Sequence, residues 1–266
     1  MNAFEFHCPT KIICGEGSLH KLPVKIADRG VTKPLIVTDA NLVKLGIAEQ
    51  VFAPLREADV NYSLYDHVPP DSSLNVVNEV ATLYKEEKCD GWIALGGGSV
   101  IDTAKGAAAS VSVGEKDFTD LQGSEILQDE LDPLIAIPTT AGTGSEVTLV
   151  AVVADTENHA KLSYTSYRLV PHIAFLDPKL TASLPPRLTA TTGIDALTHA
   201  IEAYTSIQKN PISDALAQQA ISLISKNLAL SCAEPGNLEA RTNLALGSLL
   251  AGASFSNAMV GLIHAI

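Results

Sequence analysis

Positive charge is scarce in this sequence and so is cysteine, and each shortage excludes something. Only 18 Lys and Arg stand against 30 Asp and Glu in 266 residues, a formal net charge of −12 that would repel a phosphate backbone and an anionic membrane surface alike. Neither nucleic acid nor a membrane is therefore expected as a partner. The four cysteines, Cys8, Cys14, Cys89 and Cys232, form no Cys-x-x-Cys pair and no framework spacing, which suits free thiols in a reducing cytoplasm. The first residues lack the basic start and apolar run of a signal peptide, so a cytoplasmic location is expected. With 46% apolar and 18% charged residues, the composition is that of a soluble globular chain with room for one large domain or two modest ones.

A further absence is local. No Asp, Glu, Lys or Arg occurs from Thr242 to Ile266, long enough to raise the question of a membrane span. Asn243, Ser248, Ser254, Ser256, Asn257 and His264 interrupt the stretch, and Gly247, Ala251, Gly252 and Ala253 are small enough for close helix packing. It reads as a buried pair of helices in a soluble fold. Its last residues carry no capping glycine, basic turn or polar tail. They read as an element whose packing partners lie further on; a natural terminal helix docked in a groove or at a subunit interface is the other reading.

From about residue 33 to residue 180, short apolar β-rich runs alternate with helical patterns, which predicts a mainly parallel sheet covered by helices. Three runs end in ligand-competent segments. Pro34–Thr38 leads to Asp39, Gly91–Leu95 to Gly96-Gly-Gly-Ser99, and Pro133–Ile137 to Pro138-Thr-Thr-Ala-Gly-Thr-Gly-Ser-Glu146. In open α/β sheets ligands sit beyond the carboxyl ends of the strands, so the three form one coherent candidate site. After Leu184-Pro-Pro-Arg187 the β-branched runs disappear and Ala, Leu and Ser recur at helical spacing. The expected organisation is an α/β half over residues 1–184 and an all-α half over 185–266, with a cleft between them.

Gly96-Gly-Gly-Ser99 lies between a strand and a helix, where glycines admit a diphosphate to the free N–H groups of the helix start. It is neither a Gly-x-Gly-x-x-Gly fingerprint nor a Walker loop, and an ordinary tight turn would look the same. Thr139, Thr140 and Thr143 add hydroxyls suited to ribose and phosphate oxygens, unless the loop is merely polar. Asp39 stands where a carboxylate can accept from a ribose diol and repel a 2′-phosphate, favouring NAD over NADP; a helix N-cap is its other reading. Further on, Asp195 and His199 are spaced i, i+4 in a helical run, so a carboxylate and an imidazole can converge on one divalent metal. His264, in an apolar setting without a charged neighbour, is a plausible third ligand. An Asp195–His199 pair with His264 hydrogen-bonded in the core fits the same spacing.

Taken together the motifs resemble the iron-containing (group III) alcohol dehydrogenases of the dehydroquinate synthase-like superfamily. The resemblance runs through Gly96–Lys105, Ile137–Thr148, Asp177-Pro-Lys-Leu180, Leu184–Arg187, Thr192–Tyr204 and Phe255–Ala265. It implies a dinucleotide-binding α/β domain followed by a helical metal-binding domain, here incomplete. By the same resemblance Gly97, Gly98, Ser99, Asp102, Thr139, Thr140, Thr143, Thr148, Lys161 and Leu180 contact NAD, and Asp39 selects it. Asp195, His199 and His264 match three of four metal ligands and act in catalysis through the metal, Fe²⁺ or else Zn²⁺. The implied reaction is hydride transfer from a short alcohol or diol to nicotinamide, or the reverse reduction of an aldehyde, while the metal polarises the oxygen. The family pattern continues beyond Ile266 with a fourth ligand His and more helical domain. An NAD-binding module without turnover, and maleylacetate reductase- or glycerol dehydrogenase-like chemistry, are the alternatives. The resemblance also implies a homodimer, with a strand such as Lys11–Cys14 pairing across subunits.

Overall fold

The computed structural model describes residues 3–114, 123, 124, 127, 129–156 and 158–265. In chain order the elements are β1 (Lys11–Cys14), α1 (Leu22–Ala27), β2 (Pro34–Val37), α2 (Ala40–Lys44), α3 (Glu49–Glu57), β3 (Ser63–Tyr65), α4 (Leu74–Glu86), β4 (Gly91–Gly96), α5 (Gly98–Ser112) and β5 (Gly123–Ser124). They continue with β6 (Leu134–Pro138), β7 (Val150–Asp155), β8 (Ala160–Thr165), β9 (Ile173–Leu176), α6 (Pro178–Ala182), α7 (Pro186–Thr205), α8 (Pro211–Ala233), α9 (Leu238–Phe255) and α10 (Leu262–Ala265).

Six strands form one sheet in the order β1-β9-β6-β4-β2-β3, and all its pairings are parallel. The four inner strands are buried at every residue whereas β1 and β3 are not, which is why the inner ones read as continuous apolar runs rather than alternating ones. Successive residues still face opposite layers. Leu35, Val37, Trp92, Ala94, Leu134 and Ala136 pack with residues of α4 and α5; Ile36, Ile93, Leu95, Ile135, Ile137 and Phe175 pack with residues of α1 and α3. Strand β3 runs outward from β2, and the next strand, β4, returns to the other side of β2. The strand order therefore reverses at β2 and β4, where a crevice opens beyond their carboxyl ends.

The expected runs at 34, 91 and 133 are β2, β4 and β6. A second, three-stranded sheet, β5-β8-β7, was not anticipated; β7 and β8 form an antiparallel hairpin. Strand β1 pairs within its own chain, residue for residue with β9.

Pro185 is the N-cap of α7 and Pro186 its first residue, a position that tolerates the missing N–H. The proline pair thus opens a helix here as well as ending the preceding segment. Helices α7, α8 and α9 pack on one another through small residues, among them Ala196, Ala200, Ala220 and Ala251. The charge-free stretch is not a buried helix pair. Its first part lies in α9, most of which is buried, but α10 is a single turn with Leu262 74% and Ile263 66% exposed. No described helix is long and apolar enough to cross a membrane.

The two halves meet at the loop after β6. Gly144, with φ +65°, lies so close to α9 that a Cβ there would sit 2.6 Å from the Cα of Gly252, and a Cβ on Gly252 would sit 2.9 Å from the Cα of Gly144. Neither backbone can yield to a side chain. Gly252→Val is therefore expected to destabilise the chain by about 1–3 kcal/mol in urea unfolding, while Gly236→Ala, at an exposed turn with nothing within 4 Å, stays within about 0.5 kcal/mol. Equal effects would show that the contact is not tight.

Candidate active site

The crevice holds a cavity of about 610 Å³, within the usual range for small-molecule sites. Its floor is the turn from β4 into α5. Gly97 is the extended N-cap of α5, and Gly97, Gly98 and Ser99 all line the cavity. The first N–H groups of a helix have no partner within it, so this end of α5 offers donors and a positive dipole end to an anion. Gly98 is required by a protein neighbour too: a Cβ there would lie 2.7 Å from Cγ2 of Thr143.

Asp39, Thr139, Thr140, Thr143 and Leu180 line the same cavity. Asp39 is the N-cap of α2, its Oδ1 accepting from the N–H of Asn41 (2.9 Å) and Leu42 (3.1 Å), while Oδ2 takes no bond among the described residues. Capping and ligand binding are thus compatible in one carboxylate. The Thr143 hydroxyl accepts from the Ser145 N–H and hydroxyl at 3.3 and 3.1 Å. The two loop glycines face helices rather than the cavity: Gly142 abuts Thr192 of α7, and Gly144 abuts Gly252 of α9. Ser99 directs its hydroxyl to the Pro70 carbonyl, leaving its backbone as the part free to meet a ligand.

Three residues expected at the cofactor lie outside this cavity. Thr148 is buried behind it and accepts from the Lys105 ammonium through Oγ1 at 3.1 Å and its carbonyl at 2.7 Å. Asp102 faces the second sheet, Oδ2 accepting from the Val152 N–H at 3.0 Å. Lys161 is exposed on β8. The resemblance by itself did not separate residues that line the cavity from those that stand behind or beside it.

Behind the cavity stands a buried ammonium. Lys105 is fully buried and also donates to the Val150 carbonyl at 2.9 Å. Burial pushes its ammonium down to about 8, against the pull of Asp102 and Glu146. Burial likewise pushes the Glu146 carboxyl up to about 7 and raises that of Asp102, Lys105 opposing both shifts.

One turn along α7 from the cavity-lining Thr192 stands Asp195. Oδ1 of Asp195 lies 4.0 Å from Nε2 of His199 and 3.4 Å from Nε2 of His264, and ligand atoms of the three residues all fall within 4.8 Å of one another. Ligands held at about 2.1 Å in a tetrahedron stand roughly 3.4 Å apart, so the cluster needs little adjustment to close on one cation. A carboxylate with two imidazoles suits Zn²⁺ or Fe²⁺. The His199 ring stacks against Phe255 at 4.4 Å and His264 at 4.2 Å between centroids. Its Nδ1 is buried without a well-formed hydrogen bond, although the Gly142 backbone favours the charged ring. Burial and the neighbouring His264 depress its pKa, opposed by Asp195 and Gly142.

His264 returns to α7 because the turn after α9 is tied down. Asn257 exchanges bonds with the backbone of His7 at 2.7 and 3.0 Å, Ser256 accepts from the Leu149 N–H, and Ser206 donates to the Ala258 carbonyl. Met259 takes a left-handed φ of 62°. Sequence reasoning overlooked Glu202, whose carboxylate meets His264; its place seven residues after Asp195 and three after His199 on one helix face was the available signal.

Residues 9–178 match the family model described as iron-containing alcohol dehydrogenase, and residues 189–266 match that of the Fe-containing alcohol dehydrogenase family, C-terminal. A choline dehydrogenase of Bacillus subtilis is 41% identical over 98% of this chain and 65% of its own length. Among solved structures, an alcohol dehydrogenase from Oenococcus oeni is 42% identical with a TM-score of 0.95, covering 99% of this chain and 69% of that one. A sulfoacetaldehyde reductase from Bifidobacterium kashiwanohense in complex with NAD+ is 31% identical with a TM-score of 0.91, covering 100% and 70%. The chain spans 62% to 68% of the length of eight of the curated relatives it matches.

The buried carboxyl of Glu146 makes stability depend on pH with a definite sign. Between its ordinary value of 4.5 and about 7 the folded chain keeps a proton that the unfolded chain has released, so stability falls as pH rises, by up to about tenfold in the unfolding constant per pH unit. Glu146→Gln is expected to flatten this slope in urea titrations across the window. A variant that retains the full wild-type slope would contradict the assignment.

Proposed function

The chain belongs to the iron-containing alcohol dehydrogenase family, and from that premise we propose that it serves NAD-linked oxidation of short alcohols or diols and the reverse reduction of aldehydes. Three potential metal ligands from the two ends of the helical half converge beside a cavity built at the sheet's switch point; this observation carries the reading. The solved relative that holds NAD+ supports the choice of dinucleotide.

In this reading the N–H groups at the start of α5 receive the diphosphate of NAD. The threonine hydroxyls at 139, 140 and 143 offer further hydrogen bonds, and Leu180 gives the cavity an apolar contact. Asp39 keeps its Oδ1 on the α2 cap and presents Oδ2 to a ribose diol, which disfavours a 2′-phosphate. Asp195, His199 and His264 hold the divalent cation, Fe²⁺ or Zn²⁺. When bound, the cation supplies a Lewis acid for an alcohol oxygen and NAD supplies the hydride acceptor. Phe255, stacked on His199, keeps that ring in place. Asp102 and Thr148 act on this site through the loops they hold. A homodimer forming along the open edge of β1 belongs to the same reading.

Loaded with Fe²⁺ or Zn²⁺, the chain is expected to bind about one cation, a stoichiometry lost on Asp195→Ala, and to form NADH from NAD with a short primary alcohol or diol. NAD binding with neither cation nor turnover would favour a nucleotide-binding module instead. Gly98→Val is expected to weaken NADH binding at least tenfold by fluorescence titration, because its side chain enters the space of Thr143 and covers the α5 donors; unchanged binding would move the cofactor elsewhere. Light scattering at twice the chain mass is the expected result for the dimer, and a monomer would refute it.

A further inference from the structure

Glu202 is 6% exposed, and among the described residues no Lys or Arg pairs with it. A buried carboxylate is costly unless its oxygens are occupied, and here both are. Oε1 accepts from the Ile263 N–H at 2.7 Å, Oε2 meets Nδ1 of His264, and the Gly261 N–H adds to the hold. Gly261 also keeps this seat open, since a Cβ there would lie 2.9 Å from Oε1. The carboxylate on α7 thus grips both the backbone and the imidazole of a segment some sixty residues further along the chain.

The other nitrogen of His264, Nε2, faces Asp195 at 3.4 Å. An ionised carboxylate only accepts hydrogen bonds; both ring nitrogens face one, but the Glu202 contact is much the closer, so the proton of a neutral His264 ring is drawn to Nδ1 and the lone pair is left on Nε2. We propose that Glu202 is a positioning residue that holds His264 as the Nδ1–H tautomer with Nε2 aimed into the cluster it forms with Asp195 and His199. Metal-bound histidines generally donate their second ring N–H to such a partner, whose loss weakens the metal about 10- to 100-fold. The proposal rests on the metal reading above and adds a residue that the motif comparison left without a task.

Glu202→Gln separates this role from packing. The amide keeps an oxygen for the Ile263 N–H but turns its NH2 toward Nδ1, which must then accept, so the ring proton moves to Nε2 and blocks the ligand. Chelator competition with Zn²⁺ is expected to show binding about 10- to 100-fold weaker than wild type, and the visible spectrum of the Co²⁺-loaded chain is expected to change. Binding and spectrum equal to wild type would overturn the proposal. ¹⁵N NMR of the wild-type chain without added metal reads the tautomer directly, so the proposal stays open to refutation even if the variant does not fold. With the pH raised until the His264 ring is neutral, the Nδ1–H form is expected, and an Nε2–H form would overturn the proposal. Failure of the wild type to bind Zn²⁺ would refute the metal reading alone, while the tautomer measurement would still decide the role of Glu202.

Discussion

The contact of Gly144 with Gly252 sets the relation between the two halves of the molecule. At this separation two backbones touch with no side chain between them, and packed interiors give little room to slide. The loop after β6 is thereby held between the sheet and the helices. On one side Thr143 presses on Gly98 at the start of α5; on the other Gly142 abuts Thr192 of α7. The floor of the cavity and the helix that carries Asp195 and His199 are thus only a few contacts apart, each involving a glycine. Displacing α9 would disturb the loop after β6 and the turn that returns His264 to α7 together.

Behind this glycine layer the fold accepts buried charge. Lys105 reaches from α5 to the start of β7, where its three donors meet the Thr148 carbonyl and hydroxyl and the Val150 carbonyl. A hydrophobic side chain of the same size would leave those oxygens without a donor, at a cost of about 1–3 kcal/mol for each buried group. Asp102 and Glu146 are near enough to favour that ammonium, and Lys105 in turn favours the ionised Glu146 carboxyl, which burial nevertheless pushes up to about 7. The second sheet is tied in this way to the helix that begins the cavity floor. Farther along, Arg241 performs a comparable task with no carboxylate partner among the described residues: it joins α9 to the Thr189 hydroxyl at 2.8 Å and to the Leu184 carbonyl at 3.4 Å, on either side of the proline pair.

Several features were legible because they depend on neighbours in sequence. The apolar runs at 34, 91 and 133 could be read as strands because inner parallel strands are buried on both faces. Pro185 and Pro186 marked a boundary because proline constrains its own backbone, and Asp195 with His199 shared a helix face because 3.6 residues make a turn. The short second sheet left no continuous apolar run: β7 and β8 bury only alternate residues, Ala151 and Val153 on one and Leu162 and Tyr164 on the other. Nor could the task of each glycine be read. In the loop after β6, Gly142 and Gly144 make room for α7 and α9, partners that the sequence does not mark. Thr148 and Lys161 came from the same resemblance as Thr140, yet one is buried under a lysine and the other is exposed.

The sequence by itself determined the local elements, the two-part order of sheet and helices, and the chemical types available at the site, because periodicity, proline and helix-start chemistry act over a few residues. It also marked the family, through motifs that survive in order along the chain. Only the tertiary structure decided which side chains face the cavity, that Asp39 caps a helix with one oxygen while leaving the other open, and that His264 meets Asp195, His199 and Glu202. Those outcomes depend on distances between segments tens to hundreds of residues apart. Backbone contacts such as Gly144 on Gly252 and bonds such as those of Asn257 to His7 set these distances, and neither leaves a periodic trace in the sequence.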